Sequence, residues 1–170
     1  YPPYQIIKSK YLNEIELEDI VKLEHALEIY WNGKKAINTL KHVTEHYSSF
    51  DFLLGLGKYF GTQKDYHKYS LDDVFIILND FILTNYNNDV VLKELVAIDY
   101  YLHHKVKPKP LLINELDKKL KFELLEKNKL NHHKYRFVAL PISFDFKTKC
   151  VKNENVLFIQ YDGINKAIVV

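Results

Sequence analysis

A change in the spacing of apolar residues divides this sequence and limits the folds it can adopt. Up to about residue 104, apolar side chains recur every three or four positions, as in amphipathic helices. Pro108 and Pro110 interrupt this pattern, because proline lacks the amide hydrogen a helix needs and favours extended chain before it. After His133 the pattern becomes that of strands. The sequence therefore predicts helices first and strands last.

Five helices are predicted before the prolines and a sixth after them. Gly33 ends the first helix, Ser49 is the expected N-cap of the third, and Gly61 is its expected C-cap. Ser70 and Asp73 have the spacing of a capping box at the start of the fourth. The apolar patterns cover residues 17–31, 34–47, 52–60, 71–82, 92–102 and 113–127.

The last part of the chain predicts a small antiparallel sheet. Residues 135–140 and 156–161 are rich in β-branched and aromatic residues, and Pro141 indicates an edge strand or its end. The Asp162-Gly163 pair predicts a hairpin that returns through residues 167–170. The expected fold is α+β, mainly α, with a bundle of about five or six helices followed by a β meander. A lone small sheet is marginally stable, so we expect it to pack on a helix or on a neighbouring domain.

The same pattern predicts the domain organisation. Residues 1–12 are expected to enter from an upstream domain, 13–104 to form the bundle and 105–112 to form a proline-containing linker. Residues 113–170, a helix and the meander, are expected to pack on the bundle as one domain. The sequence contains no methionine, and we therefore expect it to be part of a longer protein.

Composition excludes several classes of function. The net charge is +2, acidic and basic residues are interleaved, and Arg136 is the single arginine, which argues against nucleic-acid binding. No apolar run has the length of a membrane span, and the first residues do not form a signal peptide. Cys150 is the single cysteine, so an intrachain disulfide is excluded and a cytoplasmic location is favoured.

His42, Glu45 and His46 match the H-x-x-E-H pattern of inverted zincins. Two histidines four residues apart share a helix face and could bind zinc, with the glutamate as general base. However, the sequence specifies no third ligand. The apolar stripe through Val43 and Tyr47 also predicts that the histidines lie on the flanking, wetter face. A zinc hydrolase is therefore the less favoured hypothesis.

A glycine-rich run, residues 55–61, resembles a phosphate-binding loop. Such a loop follows a strand and opens a helix, whereas apolar residues at helical spacing continue through this run. The sequence instead predicts a helix whose small residues let another helix approach closely.

Asp99 is placed at the edge of an apolar stripe, since Leu92 and Leu95 precede it by seven and four residues. A carboxylate there must be paired or hydrogen-bonded. One interpretation is a structural hydrogen bond to a helix end or a tyrosine hydroxyl; the other is a contact to substrate or to a partner domain.

Three stretches together resemble a known family. The first is Tyr-Pro-Pro-Tyr at 1–4 with Lys-Tyr-Leu at 10–12, and the second is Phe-Asp-Phe at 50–52 with Tyr-Phe at 59–60. The third extends from Leu95 through Asp-Tyr-Tyr-Leu at 99–102 to Lys105. In combination they resemble the uncharacterised C-terminal domain of cobalamin-binding radical SAM proteins, a domain of unknown function. The resemblance covers most of the chain through about Lys105.

The resemblance implies a larger enzyme and no catalytic residue in this segment. In that family a cobalamin-binding domain and a radical SAM barrel precede the helical domain. A four-iron cluster, S-adenosylmethionine and cobalamin are thus implied for upstream domains, and no cofactor for this segment. Asp51, Asp99 and Tyr100 match the recurring positions and are candidates for substrate or domain contact.

Two functional hypotheses follow besides the zinc hydrolase. In the first, the chain is a non-catalytic accessory domain that uses exposed aromatic residues to pack on upstream domains and shields or selects substrate. In the second, it is a helical module that recruits a separate partner protein. The segment alone is not expected to be an enzyme.

Overall fold

The computed structural model describes residues 12–170, apart from the side chains of residues 152–154. The segment predicted to enter from an upstream domain, residues 1–12, lies outside the described residues except for Leu12. The helices and strands are, in chain order, α1 Glu14–Ala26, a π-helical turn Leu27–Asn32, α2 Ile37–His46, α3 Ser49–Gln63, α4 Leu71–Asn85, α5 Val90–His103, α6 Lys118–Lys127, β1 Arg136–Phe144, β2 Val151–Tyr161 and β3 Ile168–Val169.

The predicted fold class is confirmed, because the described chain is mainly helical and ends in a three-stranded antiparallel sheet. It divides into two compact units, one reaching to Phe81 and the other covering Ile82–Val170. The domain boundaries predicted from the sequence, including the linker at 105–112, stay a prediction.

In the first unit α1 packs closely against α3. The contact depends on Gly57, because a Cβ atom at this position would lie 2.1 Å from the carbonyl oxygen of Lys22. The glycine-rich run is therefore helical and permits close helix approach, as predicted. The expected C-cap at Gly61 is wrong: α3 continues to Gln63, and the backbone amide of Lys64 bonds to Phe60 at its end.

Helix starts follow the capping chemistry of the sequence, with one shift. Ser48, not the predicted Ser49, is the N-cap of α3, and its hydroxyl accepts from the amide of Asp51. The Ser70–Asp73 capping box is confirmed, since the Ser70 hydroxyl accepts from the Asp73 amide and the Asp73 carboxylate accepts from the Ser70 amide. The sixth helix is shorter than predicted, because it begins at Lys118 with Asp117 as its N-cap.

In the second unit, the sheet is covered on both faces. Its strand order is β1-β2-β3, with Ala139 opposite Phe158 and Leu140 opposite Leu157. Ala139 and Phe158 join Leu125 of α6 in one apolar cluster, while α5 contacts both long strands. The expectation that the meander packs on a helix is confirmed.

Pro141 lies inside β1, three residues before the strand ends at Phe144, and β1 is an edge strand of the sheet. An edge position tolerates proline because one side of the strand makes no ladder hydrogen bonds. The edge interpretation of Pro141 is therefore confirmed, and the strand continues beyond it to Phe144.

Candidate functional site

A cavity of about 380 Å³ lies in the first unit, beside the π-helical turn. This volume falls at the lower end of the range typical of small-molecule sites. Its lining is mostly apolar and aromatic, and its charged groups are both lysines. The lining residues are Tyr30, Trp31, Lys34, Ile37, Leu40, Lys41 and Thr44.

The π-helical turn places two consecutive aromatic residues in different environments. Tyr30 is fully buried, whereas Trp31 is 49% exposed. The wider turn is visible in its hydrogen bonds, since the amide of Gly33 bonds to the carbonyl oxygen of Glu28, five residues earlier. Such turns are rare and often occur at functional sites.

The end of the π-helical turn requires Gly33 and an unusual conformation of Lys34. A Cβ atom at residue 33 would lie 2.5 Å from the carbonyl oxygen of Ile29. Lys34 has a φ of 51°, in the left-handed region that side-chain-bearing residues seldom adopt. The chain thereby reverses quickly, and α2 begins three residues later at Ile37.

Tyr30 forms a fixed part of the cavity wall. Its hydroxyl donates a 2.9 Å hydrogen bond to the carbonyl oxygen of Val74, and its ring meets Phe60 edge to face at 6.4 Å. Burial raises the pKa of Tyr30 well above its ordinary value. Tyr30 is therefore a neutral structural group at physiological pH.

The first turn of α2 contributes to the electrostatics of the cavity. Ile37, which lines the cavity, is the first residue of this helix, and the N-cap Ala36 supplies no side-chain hydrogen bond. A helix N-terminus carries partial positive charge. Lys34 and Lys41 add full charges, and no acidic side chain of the described chain is among the lining residues.

The H-x-x-E-H motif lies on α2, and its three residues differ in burial. His42 is buried, with 5% of its surface exposed, whereas Glu45 and His46 are exposed. The prediction that both histidines lie on a wet face is thus wrong for His42, because the buried face of α2 is wide enough to include it beside Thr39 and Val43.

The geometry of the two histidines also disfavours zinc. Their rings stack at 4.2 Å, and Nδ1 of His46 lies 3.0 Å from the carbonyl oxygen of His42, which accepts its hydrogen. In the part of the chain that the structure describes, no group of three histidine, cysteine or acidic residues could hold a metal ion. A zinc site needs at least three protein ligands.

Asp51, predicted as a contact residue, is exposed in the first turn of α3. A carboxylate at this position interacts favourably with the helix dipole. The other two predicted residues, Asp99 and Tyr100, belong to the second unit and are buried on α5. Whether any of the three contacts substrate or another domain stays a prediction.

Two tyrosine hydroxyls of α5 lie within hydrogen-bonding distance of the irregular segment that follows this helix. The hydroxyl of Tyr100 lies 3.4 Å from the carbonyl oxygen of Lys109, and that of Tyr101 lies 3.4 Å from that of Ile113. Glu115 forms ion pairs with Lys107 at 2.6 Å and with Lys121 at 3.0 Å. Tyr100, predicted as a substrate or domain contact, therefore also has a structural contact within its own unit.

The four-iron cluster that the resemblance implies for the upstream domains does not match the residues of this chain. A four-iron cluster needs about four thiolates, and the whole sequence contains only Cys150, which is exposed. No step of cofactor chemistry is therefore assigned to these residues.

The sequence did not predict the cavity, although Trp31 is the last residue of the first apolar pattern, residues 17–31. The π-helical turn breaks the regular spacing on which that pattern depends. Trp31, which falls within the apolar pattern of residues 17–31, is therefore exposed. The sequence signal for this site was Gly33, which lies between two apolar helical patterns and so indicates that the chain reverses there.

The fold and cavity define a mainly helical α+β domain with a ligand-sized apolar cavity among the described residues of its first unit. A family model described as "Protein of unknown function (DUF4080)" matches residues 1–160. The chain therefore belongs to this family. No curated protein and no solved structure matches the chain. Within the described residues, the helices are too short or too polar to cross a bilayer.

Proposed function

We propose that this chain is a non-catalytic accessory domain of a cobalamin-dependent radical SAM enzyme. It packs against the upstream domains of the same protein and shields or selects substrate at the barrel. The proposal is supported by the resemblance at residues 50–52 and 99–102. The four-iron cluster, S-adenosylmethionine and cobalamin belong to the upstream domains. Shielding has a physical purpose, since reactive intermediates must be kept from water.

The observation that carries the proposal is the exposure of three aliphatic side chains on α1. Ile15, Ile20 and Val21 are 73%, 43% and 48% exposed, although α1 also packs against α3. A surface helix of an independent protein presents polar residues on its outer side. Exposed aliphatic residues on such a helix favour a covering domain. Phe50 of the same unit is an exposed aromatic side chain, 59% exposed at the start of α3.

The test replaces exposed aliphatic residues in two contexts. In the chain alone, Ile20→Ser/Val21→Ser should lower the free energy of unfolding by no more than about 2 kcal/mol, because nearly half of each residue is already exposed to solvent. In the complete protein, the same change should expose the domain and increase its rate of proteolysis. Ile164→Ser is the matched control, because Ile164 is 74% exposed in a loop.

The result in the complete protein distinguishes the hypotheses. Faster proteolysis with the α1 variant, but not with the control, supports docking on domains of the same chain. Equal proteolysis of variant and wild type contradicts it and leaves the helical module that binds a separate partner protein as the better hypothesis.

A further inference from the structure

The cavity beside the π-helical turn offers an apolar surface to solvent. Trp31 and Ile37 are 49% and 53% exposed and line it, while Tyr30 and Leu40 are buried at its base. An exposed tryptophan beside an exposed isoleucine costs free energy in water, and this cost is recovered when an apolar ligand covers them. The lining thus favours a ligand with an apolar body.

The charged groups of the cavity are all positive. Lys34 and Lys41 are exposed, and the ion pairs found among the described residues join other lysines to carboxylates. The start of α2 at Ile37, capped by no side chain, adds positive potential at the same cavity. The Thr44 hydroxyl already donates to the carbonyl oxygen of Lys41 at 2.7 Å, so lysines are the charged donors left to a ligand.

We propose that this cavity binds a small amphiphilic anion. An apolar chain or ring covers Trp31 and Ile37, and a carboxylate or phosphate group binds at Lys34 and Lys41. This inference is independent of the radical SAM connection, because it follows from the shape and charge of the cavity alone. It goes beyond the docking role, which depends on the exposed aliphatic residues of α1.

Trp31 makes the test direct, because it is the single tryptophan of the sequence. Its fluorescence is titrated in the whole chain with hexyl phosphate, hexanoate and 4-phenylbutyrate. Hexanamide, a neutral molecule of similar shape, is the ligand control. We expect saturable changes in emission with the anions, weaker binding at high salt, and about tenfold weaker binding of the amide.

Substitution of the two cavity lysines tests whether they bind the anionic group. Lys34→Gln/Lys41→Gln should abolish the preference for the anions over hexanamide. Lys68→Gln/Lys127→Gln removes the same charge at exposed positions that do not line the cavity and should preserve the preference. Circular dichroism checks that each variant is folded.

The opposite results overturn the proposal. No saturable change with any of the three anions means that the cavity does not bind this class of ligand. Equal affinity for hexanamide, or equal loss in both double variants, means that Lys34 and Lys41 do not select the anion. None of these outcomes bears on the docking experiment, which measures proteolysis of the complete protein.

Discussion

The hydroxyl of Tyr161 donates a 2.8 Å hydrogen bond to the backbone carbonyl oxygen of Tyr101, and both side chains are buried. Tyr101 lies in the last turn of α5, which ends at His103. Carbonyl groups in a last turn have no partner within their helix. Tyr161, at the end of β2, therefore satisfies a buried helix carbonyl and attaches the sheet to α5.

Tyr161→Phe removes this hydrogen bond without removing the ring. We expect the free energy of unfolding to fall by about 1–3 kcal/mol, because the Tyr101 carbonyl oxygen remains buried without its donor. Urea unfolding followed by circular dichroism measures the change. Tyr59→Phe is the control, since Tyr59 is only partly buried, and it should alter stability by less than about 0.5 kcal/mol. Equal stability of the two variants would contradict the assigned role.

Stability should also fall at alkaline pH. Burial raises the pKa of Tyr101 to about 12 and raises that of Tyr161 further. Because the folded pKa exceeds the ordinary value of 10.0, the unfolded chain loses its protons first. The stabilisation is complete below pH 10 and declines above it, by up to about 1.4 kcal/mol per pH unit for each tyrosine. Urea midpoints at increasing pH measure the decline, and Tyr161→Phe should make it shallower.

The close approach of α1 and α3 predicts a large effect of one methyl group. Gly57→Ala would place Cβ 2.1 Å from a backbone oxygen of Lys22, and we expect it to destabilise the chain by about 1–3 kcal/mol. Gly55→Ala is the matched control on the same helix, because its Cβ would lie 3.1 Å from the ring end of Phe81. Thermal unfolding compares them, and a Gly57→Ala chain as stable as Gly55→Ala would contradict the packing.

The two histidines of the H-x-x-E-H motif should differ in their effects. His42→Ala removes a buried ring and should cost about 1–3 kcal/mol, whereas His46→Ala should change stability by less than about 1 kcal/mol. Elemental analysis should find no stoichiometric zinc in the wild-type chain. Bound zinc that is lost in both variants would restore the hydrolase hypothesis.

Local sequence signals predicted the fold class because most elements follow them. The Ser70–Asp73 capping box and the strands predicted from β-branched and aromatic residues, β1 and β2, formed as expected. Helix α6 begins later than its apolar spacing indicates, because Asp117 caps it, while the amide of Leu116 bonds to the carbonyl oxygen of Ala139 in β1. That contact depends on tertiary structure, which periodicity does not report.

The candidate cavity was beyond prediction for a similar reason. It forms where the π-helical turn shifts the register of residues 27–32, so that Trp31 faces solvent while Tyr30 is buried. Lys34 and Lys41 belong to different elements and become part of one cavity only through the reversal at Gly33. Sequence spacing assigns residues to a face but does not indicate which faces enclose a cavity.

The most direct test of the accessory-domain proposal is the iron and cobalt content of the complete gene product, purified without oxygen. The coding sequence before Tyr1 is read at the same time. The proposal predicts a CxxxCxxC segment before Tyr1, about four iron atoms per chain and bound cobalt in the complete protein, with neither metal in residues 1–170 alone. A complete protein without iron, or a preceding sequence without those cysteines, would contradict it.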